Sequence, residues 1–155
     1  MCNLYDIGPR PERARTDWEA RAFAAVRELP KEYNLRPTDA GVVVLREADG
    51  SAPVPRAQRW GFCRDFNPAL TNARDDKLKG RMWGDAWREK RRCLIAMRGF
   101  YEWSGPKGRK QTHHIRPEDG AYLWVAGLWE HNRALGADCY TMLTTPANAA
   151  MAAIH

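Results

Sequence analysis

Short apolar runs separated by turn residues recur along the chain, and they predict a protein built mainly of strands. The runs cover residues 2–5, 42–45, 53–62, 93–97, 99–103, 111–116, 122–129 and 140–143. Glycine, proline and aspartate between several of these runs favour tight reversals of the chain. Many short strands at close spacing are typical of a curved, barrel-like and largely antiparallel sheet.

Three segments have helical patterns instead. Thr16 and Glu19 form a capping box before an apolar stripe that Pro30 ends, which predicts a first helix. Residues 75–92 combine basic and apolar positions, which predicts a second helix with one basic side. A last short helix is expected to open at Thr144-Thr145-Pro146, with a threonine as its N-cap and Pro146 in its first turn. Because these helices flank the sheet, we predict an α+β fold.

Size and charge narrow the class of protein. With 155 residues, of which 44% are hydrophobic, the chain suits a single globular domain. The net charge of +6 favours polyanionic partners. No apolar run approaches the roughly 20 residues of a membrane helix, and the N-terminus lacks the pattern of a signal peptide. We therefore expect a monomeric cytoplasmic protein, associated with the nucleoid if bacterial, without a membrane partner.

The four cysteines are scattered, without a C-x-x-C pair and without histidines at metal-ligand spacing. We therefore predict no metal site and no cofactor. Cys63, Cys93 and Cys139 lie in or beside apolar runs and are expected in the core. Only Cys2 has a distinctive position, directly behind the initiator methionine.

Removal of Met1 would place an amine and a thiol on Cys2. Since these groups titrate at roughly 7.7–8.0 and 8.5, useful fractions of both are nucleophilic near neutral pH. The amine can condense with an aldehyde to an imine, and the thiol can then close a five-membered thiazolidine ring on the same carbon. The alternative is a small buried residue near a frayed terminus, without a chemical role.

Several polar side chains are further candidates for a site. Glu102 lies between two aromatic residues, where partial desolvation would suit a carboxylate to proton transfer; a solvent-facing strand position is equally consistent with the pattern. His155 follows a short helix and is a candidate general acid. His113 and His114 are adjacent on a strand and point to opposite faces, so we assign neither to the site.

A second group of candidates follows in residues 64–74, which we predict to be a surface loop. Asn72 and Arg74 are two apart in an extended stretch and should face the same way. The amide suits orientation of a substrate, and the guanidinium suits a phosphate. The basic segment at residues 75–92 is either a solvated face or a nucleic-acid contact.

Six ordered motifs across the chain resemble those of the SRAP family (SOS response-associated peptidase). They are Met1-Cys2-Asn3-Leu4-Tyr5, Tyr33-Asn34-Leu35-Arg36-Pro37, Arg59-Trp60-Gly61-Phe62, Thr71-Asn72-Ala73-Arg74, Gly99-Phe100-Tyr101-Glu102-Trp103, and Leu143-Thr144-Thr145-Pro146-Ala147-Asn148 followed by Ile154-His155. The resemblance implies one SRAP-like domain over residues 1–155. It also implies that the family's Arg-Met-Pro motif and further C-terminal portion are absent here.

The resemblance implies a DNA-repair protein that recognises abasic sites in single-stranded DNA. It implies a covalent thiazolidine crosslink to the sugar aldehyde through Cys2, which shields the lesion. In this reading Asn72 holds the opened sugar or the cysteine end, Glu102 moves protons, and His155 protonates or polarises the ring oxygen.

The resemblance also implies a DNA-binding surface. Arg74 is expected to bind a neighbouring phosphate, and the loop from Trp60 to Phe66 is expected beside the lesion. Phe66 would act there as a wedge against a base. Arg81, in the basic segment, is assigned to the same surface.

Two other functions use the same residues. In the first, the protein is a cysteine peptidase of the N-terminal-nucleophile type with Cys2 as its nucleophile, and removal of its own Met1 is the simplest reaction. In the other the chain is a non-catalytic binder of single-stranded DNA.

Overall fold

The computed structural model describes residues 2–8 and 13–154. Its helices are Asp17–Arg27 (α1), Gly84–Arg88 (α2) and Ala149–Ala152 (α3), with a 3₁₀ turn at Asp75–Lys77. Its strands are Tyr5–Asp6 (β1), Asn34–Leu35 (β2), Ala40–Leu45 (β3), Val54–Trp60 (β4), Phe62–Arg64 (β5), Asn67–Leu70 (β6), Asn72–Arg74 (β7), Arg92–Met97 (β8), Gly99–Ser104 (β9), Gln111–Ile115 (β10), Leu123–Asn132 (β11) and Ala137–Thr144 (β12). None of the helices in these ranges is long and apolar enough to cross a membrane.

A closed barrel of five strands forms the centre of the molecule. Its strands follow the order β11-β8-β3-β4-β12, and β11 also pairs with β12, which closes the ring. The pairing of β12 with β4 is parallel, whereas the other four are antiparallel. On the far side of β12, β7 adds a second parallel pair. The predicted α+β fold with a barrel-like, largely antiparallel sheet is confirmed.

A second, four-stranded antiparallel sheet carries the N-terminal strand. Its order is β10-β9-β1-β2, so β1 lies between β9 and β2. Tyr5 is aligned with Phe100 on one side and with Leu35 on the other. Beyond β1, the backbone N–H of Tyr101 donates to the carbonyl of Leu4 at 3.0 Å. The start of the chain is thereby held along β9.

Strand alternation and register determine which side chains fill the barrel. One face carries Gly41, Val43, Gln58, Trp60, Ile95, Met97, Val125, Gly127, Tyr140 and Met142, most of them buried. On the other face, α1 packs across β3 and β4. A second apolar cluster, which includes Phe62 and Trp83, covers β12.

Tyr5 joins the small sheet to the barrel. Its hydroxyl group hydrogen-bonds that of Tyr140, and its ring meets Trp60 edge-on with a centroid distance of 4.9 Å. All three side chains are fully buried. Gly41 lies against both hydroxyl groups, and a Cβ at this position would clash with them. The absence of a side chain at Gly41 therefore makes room for the tyrosine pair.

Two predicted segments differ from the structure. The loop expected at residues 64–74 was wrong, because much of it forms β6 and β7. These strands are short, and Pro68 and the polar residues around it give no alternation. The single helix expected at residues 75–92 was also wrong, because a 3₁₀ turn and the five-residue α2 replace it. Gly80 lies between these two elements, and Gly84 is the first residue of α2.

The helix caps agree in part with the sequence patterns. The side chain of Thr16 accepts a hydrogen bond from the backbone N–H of Glu19 at 3.3 Å, so the first predicted cap is confirmed. The last helix begins later than expected, with Asn148 rather than a threonine as its N-cap. Residues 145–148 therefore lie outside regular secondary structure.

We expect Gly41→Ala to destabilise the protein by about 1–3 kcal/mol, because the added methyl group is forced against two buried hydroxyl groups. Equilibrium unfolding in urea measures this loss. In a Tyr5→Phe/Tyr140→Phe background the same substitution should cost clearly less. An equal cost in both backgrounds would show that the tyrosine hydroxyls are not the obstacle.

Candidate active site

A cleft of about 660 Å³ opens beside one end of the barrel. Its walls come from the N-terminus, from β7, β8, β9, β11 and β12, and from the chain that follows β12. The lining residues are Cys2, Asn72, Arg74, Met97, Phe100, Glu102, Val125, Met142, Leu143, Thr144, Thr145, Pro146, Ala147, Asn148 and Met151. Four of the predicted site residues, Cys2, Asn72, Arg74 and Glu102, are therefore brought together.

Cys2 is buried but borders the cleft, with 8% of its surface exposed. Its Sγ donates to the carbonyl of Leu4 at 3.2 Å. Burial raises the pKa of the Cys2 thiol to about 11; the negative charge of Glu102 acts in the same direction, and backbone hydrogen bonds oppose it. Near neutral pH the folded protein therefore holds this thiol in its protonated, weakly nucleophilic form.

Asn72 connects β7 to the N-terminus. Its Nδ2 donates to the carbonyl oxygen of Cys2 at 2.9 Å and to Oγ1 of Thr71 at 2.8 Å. Thr71 Oγ1 in turn donates to Oδ1 of Asn3 at 3.2 Å. Both amide hydrogens of Asn72 are thus used, which fixes the orientation of the amide. Its Oδ1 is buried and has no hydrogen-bond partner in the described part of the chain.

Glu102 faces inward from β9. Its side chain is 7% exposed and borders the cleft together with Phe100, two residues earlier on the same face. Tyr101 points to the opposite face, where its ring stacks on His114 at a centroid distance of 4.4 Å. Of the two sequence interpretations, the desolvated carboxylate rather than the solvent-facing one is observed.

Arg74 reaches the cleft from the same side as Asn72, as strand alternation predicts, whereas Ala73 between them is buried in the second apolar cluster. Its guanidinium group binds the carboxylate of Asp76 with two bonds, of 3.0 and 2.8 Å. Both side chains are more than half exposed. Such exposed pairs contribute only about 0–1 kcal/mol, so an anion that other contacts hold beside Arg74 can replace Asp76.

Phe66 and Arg81, which were also predicted for the site, do not line the cleft. Phe66 is 72% exposed at the turn between β5 and β6. Arg81 is exposed between the 3₁₀ turn and α2. His155, like Met1, lies outside the described residues.

Trp60 requires a correction. It ends β4 inside the barrel and is fully buried, so the expected loop position beside DNA was wrong. Its indole Nε1 donates to the carbonyl of Thr71 at 3.3 Å. Trp60 therefore supports the strand that carries Asn72 rather than contacting a ligand.

Sequence reasoning missed two contributors to the cleft. One is Thr71, which orients the Asn72 amide. The other is the segment between β12 and α3, residues 145–148, which forms one wall. Alternation in an extended stretch would point Thr71 away from its neighbour Asn72, so the sequence pattern carried no signal for their contact. In residues 2–8 and 13–154, no cluster of three or more metal-ligating side chains could hold an ion.

The fold and sequence are similar to those of known proteins. A protein from Bordetella bronchiseptica is 25% identical with a TM-score of 0.67, over 96% of this chain and 74% of its own. A phage-related protein from the same organism is 23% identical with a TM-score of 0.67, over 93% and 69%. A protein from Bacteroides thetaiotaomicron has a TM-score of 0.70 at 15% identity, over 99% and 72%.

The sequence comparisons agree with this similarity. An abasic site processing protein of Saccharomyces cerevisiae is 26% identical over an alignment of 125 positions, and the match covers 72% of this chain and 32% of the yeast protein. The chain thus spans about a third of the length of that relative. The family profile described as SOS response associated peptidase (SRAP) matches residues 1–155. The chain belongs to the SRAP family.

Proposed function

We propose that this protein captures abasic sites in single-stranded DNA as a covalent thiazolidine crosslink through Cys2. The observation that carries the proposal is the convergence of Cys2, Asn72 and Glu102 in one cleft, with the Asn72 amide bonded to the Cys2 carbonyl. The family and the similarity to an abasic site processing protein support the choice of lesion.

The chemistry needs Cys2 as the first residue, since a free amine must attack the sugar. In the open form of an abasic sugar, the aldehyde carbon accepts the amine, and loss of one water gives an imine. The thiol then adds to the same carbon, and its proton passes to the imine nitrogen. The products are one thiazolidine ring and one water, without oxidation or reduction.

Glu102 is suited to the proton transfers in this sequence. Its carboxylate is buried beside the Cys2 thiol, which is held neutral and must lose a proton as the ring closes. A carboxylate in this position can accept that proton and return it to nitrogen or to the departing water. We propose that His155 assists ring opening of the sugar by protonating its ring oxygen.

Asn72 holds the reacting residue in place. Its Nδ2 binds the Cys2 carbonyl, and its unpaired Oδ1 is an acceptor for a hydroxyl group of the opened sugar. The cost of a buried, unsatisfied acceptor, about 1–3 kcal/mol, would be relieved when the sugar binds.

The DNA strand would be bound by cationic and aromatic side chains around the cleft. Arg74 can exchange Asp76 for a phosphate, and exposed Arg81 can add a second contact. Phe66, exposed on its turn, is available to stack on a base beside the lesion, a contact worth about 1–3 kcal/mol.

A cysteine peptidase is the second candidate for the same cleft. A cysteine peptidase attacks its substrate with a thiolate, so it needs a thiol whose pKa is low. Here burial raises the pKa of the Cys2 thiol instead. This observation favours crosslinking, in which the amine reacts first. A non-catalytic binder remains distinguishable because it forms no covalent product.

The proposal predicts a covalent complex between the protein lacking Met1 and an abasic oligonucleotide, seen on a denaturing gel. Cys2→Ala should abolish the band and leave salt-sensitive binding intact, whereas Cys63→Ala should retain it. Intact mass establishes that Met1 has been removed. Failure of the wild-type protein to give a band would contradict crosslinking and leave the non-catalytic binder.

Glu102→Gln should slow crosslinking about 10²–10⁴-fold, the usual contribution of a positioned acid–base group, because the amide cannot carry the proton. Single-turnover gel kinetics measure the rate. Retardation by an unreactive abasic analogue on a native gel should persist. A variant that loses this retardation would assign Glu102 to DNA binding rather than to proton transfer.

In protein that retains Met1, the rate of alkylation of Cys2 should rise with pH along a titration curve whose midpoint is about 11. The reason is that burial in the fold stabilises the neutral thiol, so the reactive thiolate forms only at high pH. Peptide mass spectrometry after timed iodoacetamide treatment measures the rate. In the urea-unfolded chain the midpoint should fall to about 8.5. Equal midpoints in both states would contradict the effect of burial.

A further inference from the structure

The hairpin formed by β9 and β10 is strongly basic. Between Glu102 and Glu118 the sequence contains no acidic residue, and the turn of the hairpin carries Lys107, Arg109 and Lys110. All three are exposed, and in the described part of the chain none of their side chains has an ion pair. Their positive charge is therefore available to an anionic partner.

Two glycines fix the shape of this turn. Gly105 and Gly108 have φ values of +90° and +88°, which other residues rarely adopt. The backbone N–H of Arg109 donates to the carbonyl of Pro106 at 3.0 Å, and a Cβ on Gly105 would lie only 2.9 Å from the Arg109 carbonyl oxygen. The three cations thus project from a defined turn.

The hairpin leads directly away from the cleft. Glu102 is aligned with His113, and Ser104 with Gln111, so Glu102, Ser104 and His113 share one face of the two strands. Ser104 Oγ and His113 Nε2 are 2.7 Å apart and hydrogen-bonded. Arg109 lies four residues before His113 in the chain. In extended backbone this separation corresponds to about 13 Å, directed away from the cleft. A polar row connects the carboxylate of the cleft to the basic turn.

We propose that this hairpin binds the phosphates of the DNA strand flanking the lesion. Lys107, Arg109 and Lys110 would contact the backbone beyond the cleft, and the Ser104–His113 pair would add hydrogen bonds between the lesion and the turn. This inference rests on the proposed function, which brings single-stranded DNA to Glu102. A backbone contact is favoured because flexible, unpaired cations neutralise phosphates without reading sequence.

The test compares two triple variants with the same change in charge. Lys107→Gln/Arg109→Gln/Lys110→Gln removes the turn cations. Arg27→Gln/Arg46→Gln/Arg133→Gln removes three exposed arginines from α1, from the chain after β3 and from the β11–β12 turn. Fluorescence anisotropy measures the affinity of the Met1-free protein for an oligonucleotide with an unreactive tetrahydrofuran lesion analogue over a range of salt concentrations.

The slope of log affinity against log salt is negative, and its magnitude should decrease by about 2 in the hairpin variant, since each single-strand phosphate contact contributes about 0.7. The arginine control should keep the wild-type slope. Single Lys107→Gln and Arg109→Gln variants, each expected to reduce the magnitude of the slope by about 0.7, replace the triple variant if it does not fold. Equal slopes for the hairpin and control variants would overturn the proposal.

Trimming the oligonucleotide locates the contact. Removal of all but one nucleotide from one side of the lesion should reduce the magnitude of the wild-type salt slope to that of the hairpin variant. The slope of the hairpin variant should not change. If trimming either side affects both proteins equally, the hairpin does not bind the flank. The denaturing gel of the wild-type protein tests crosslinking independently of the hairpin. If no covalent band forms but binding still depends on the hairpin cations, the crosslinking proposal is wrong and the hairpin contact is supported.

Discussion

The buried contact between Tyr5 and Tyr140 holds the rest of the structure in place. A two-residue strand such as β1 has too few backbone hydrogen bonds to be stable alone. Tyr5 supplies what is missing, because its ring packs on Trp60 and its hydroxyl binds that of Tyr140 inside the barrel. Both hydroxyl groups are withdrawn from water, and each provides the other's partner, as buried polar groups require. Since Cys2 lies three residues before Tyr5, this contact sets the position of the chain start relative to the cleft.

The cleft then depends on contacts between segments that are distant in sequence. Asn72 binds the Cys2 carbonyl across 70 positions, and Trp60 binds the strand next to it through Thr71. The parallel pairs made by β12 bring these segments together, because β12 lies between β4 and β7. Burial raises the pKa of the Cys2 thiol and so favours its neutral form near neutral pH. An amine-first reaction is compatible with that state, since the sulfur is needed only at ring closure.

Much of the fold could be predicted from the sequence. The longer strands have apolar runs, and the first helix has a capping box, so local patterns sufficed there. Strands β6 and β7 were missed because each is short and polar and is stabilised by pairing rather than by its own periodicity. The inward position of Glu102 was open in the sequence, since either face of β9 carries aromatic residues. In the structure Tyr101 stacks on His114 on the face opposite Glu102. Trp60 was misassigned because a tryptophan beside glycine suits both an exposed loop and a barrel interior.

If the proposed role of Arg74 holds, its pairing with Asp76 bears on which anions the cleft would accept. A carboxylate two residues away on the same chain is present at a high effective concentration, so a free small anion at ordinary concentrations competes poorly for the guanidinium group. A phosphodiester in a strand that is already held elsewhere on the surface has the same advantage of proximity, and can displace the carboxylate. Asp76 would thus act as an internal competitor that discriminates polymeric phosphate from its monomeric forms.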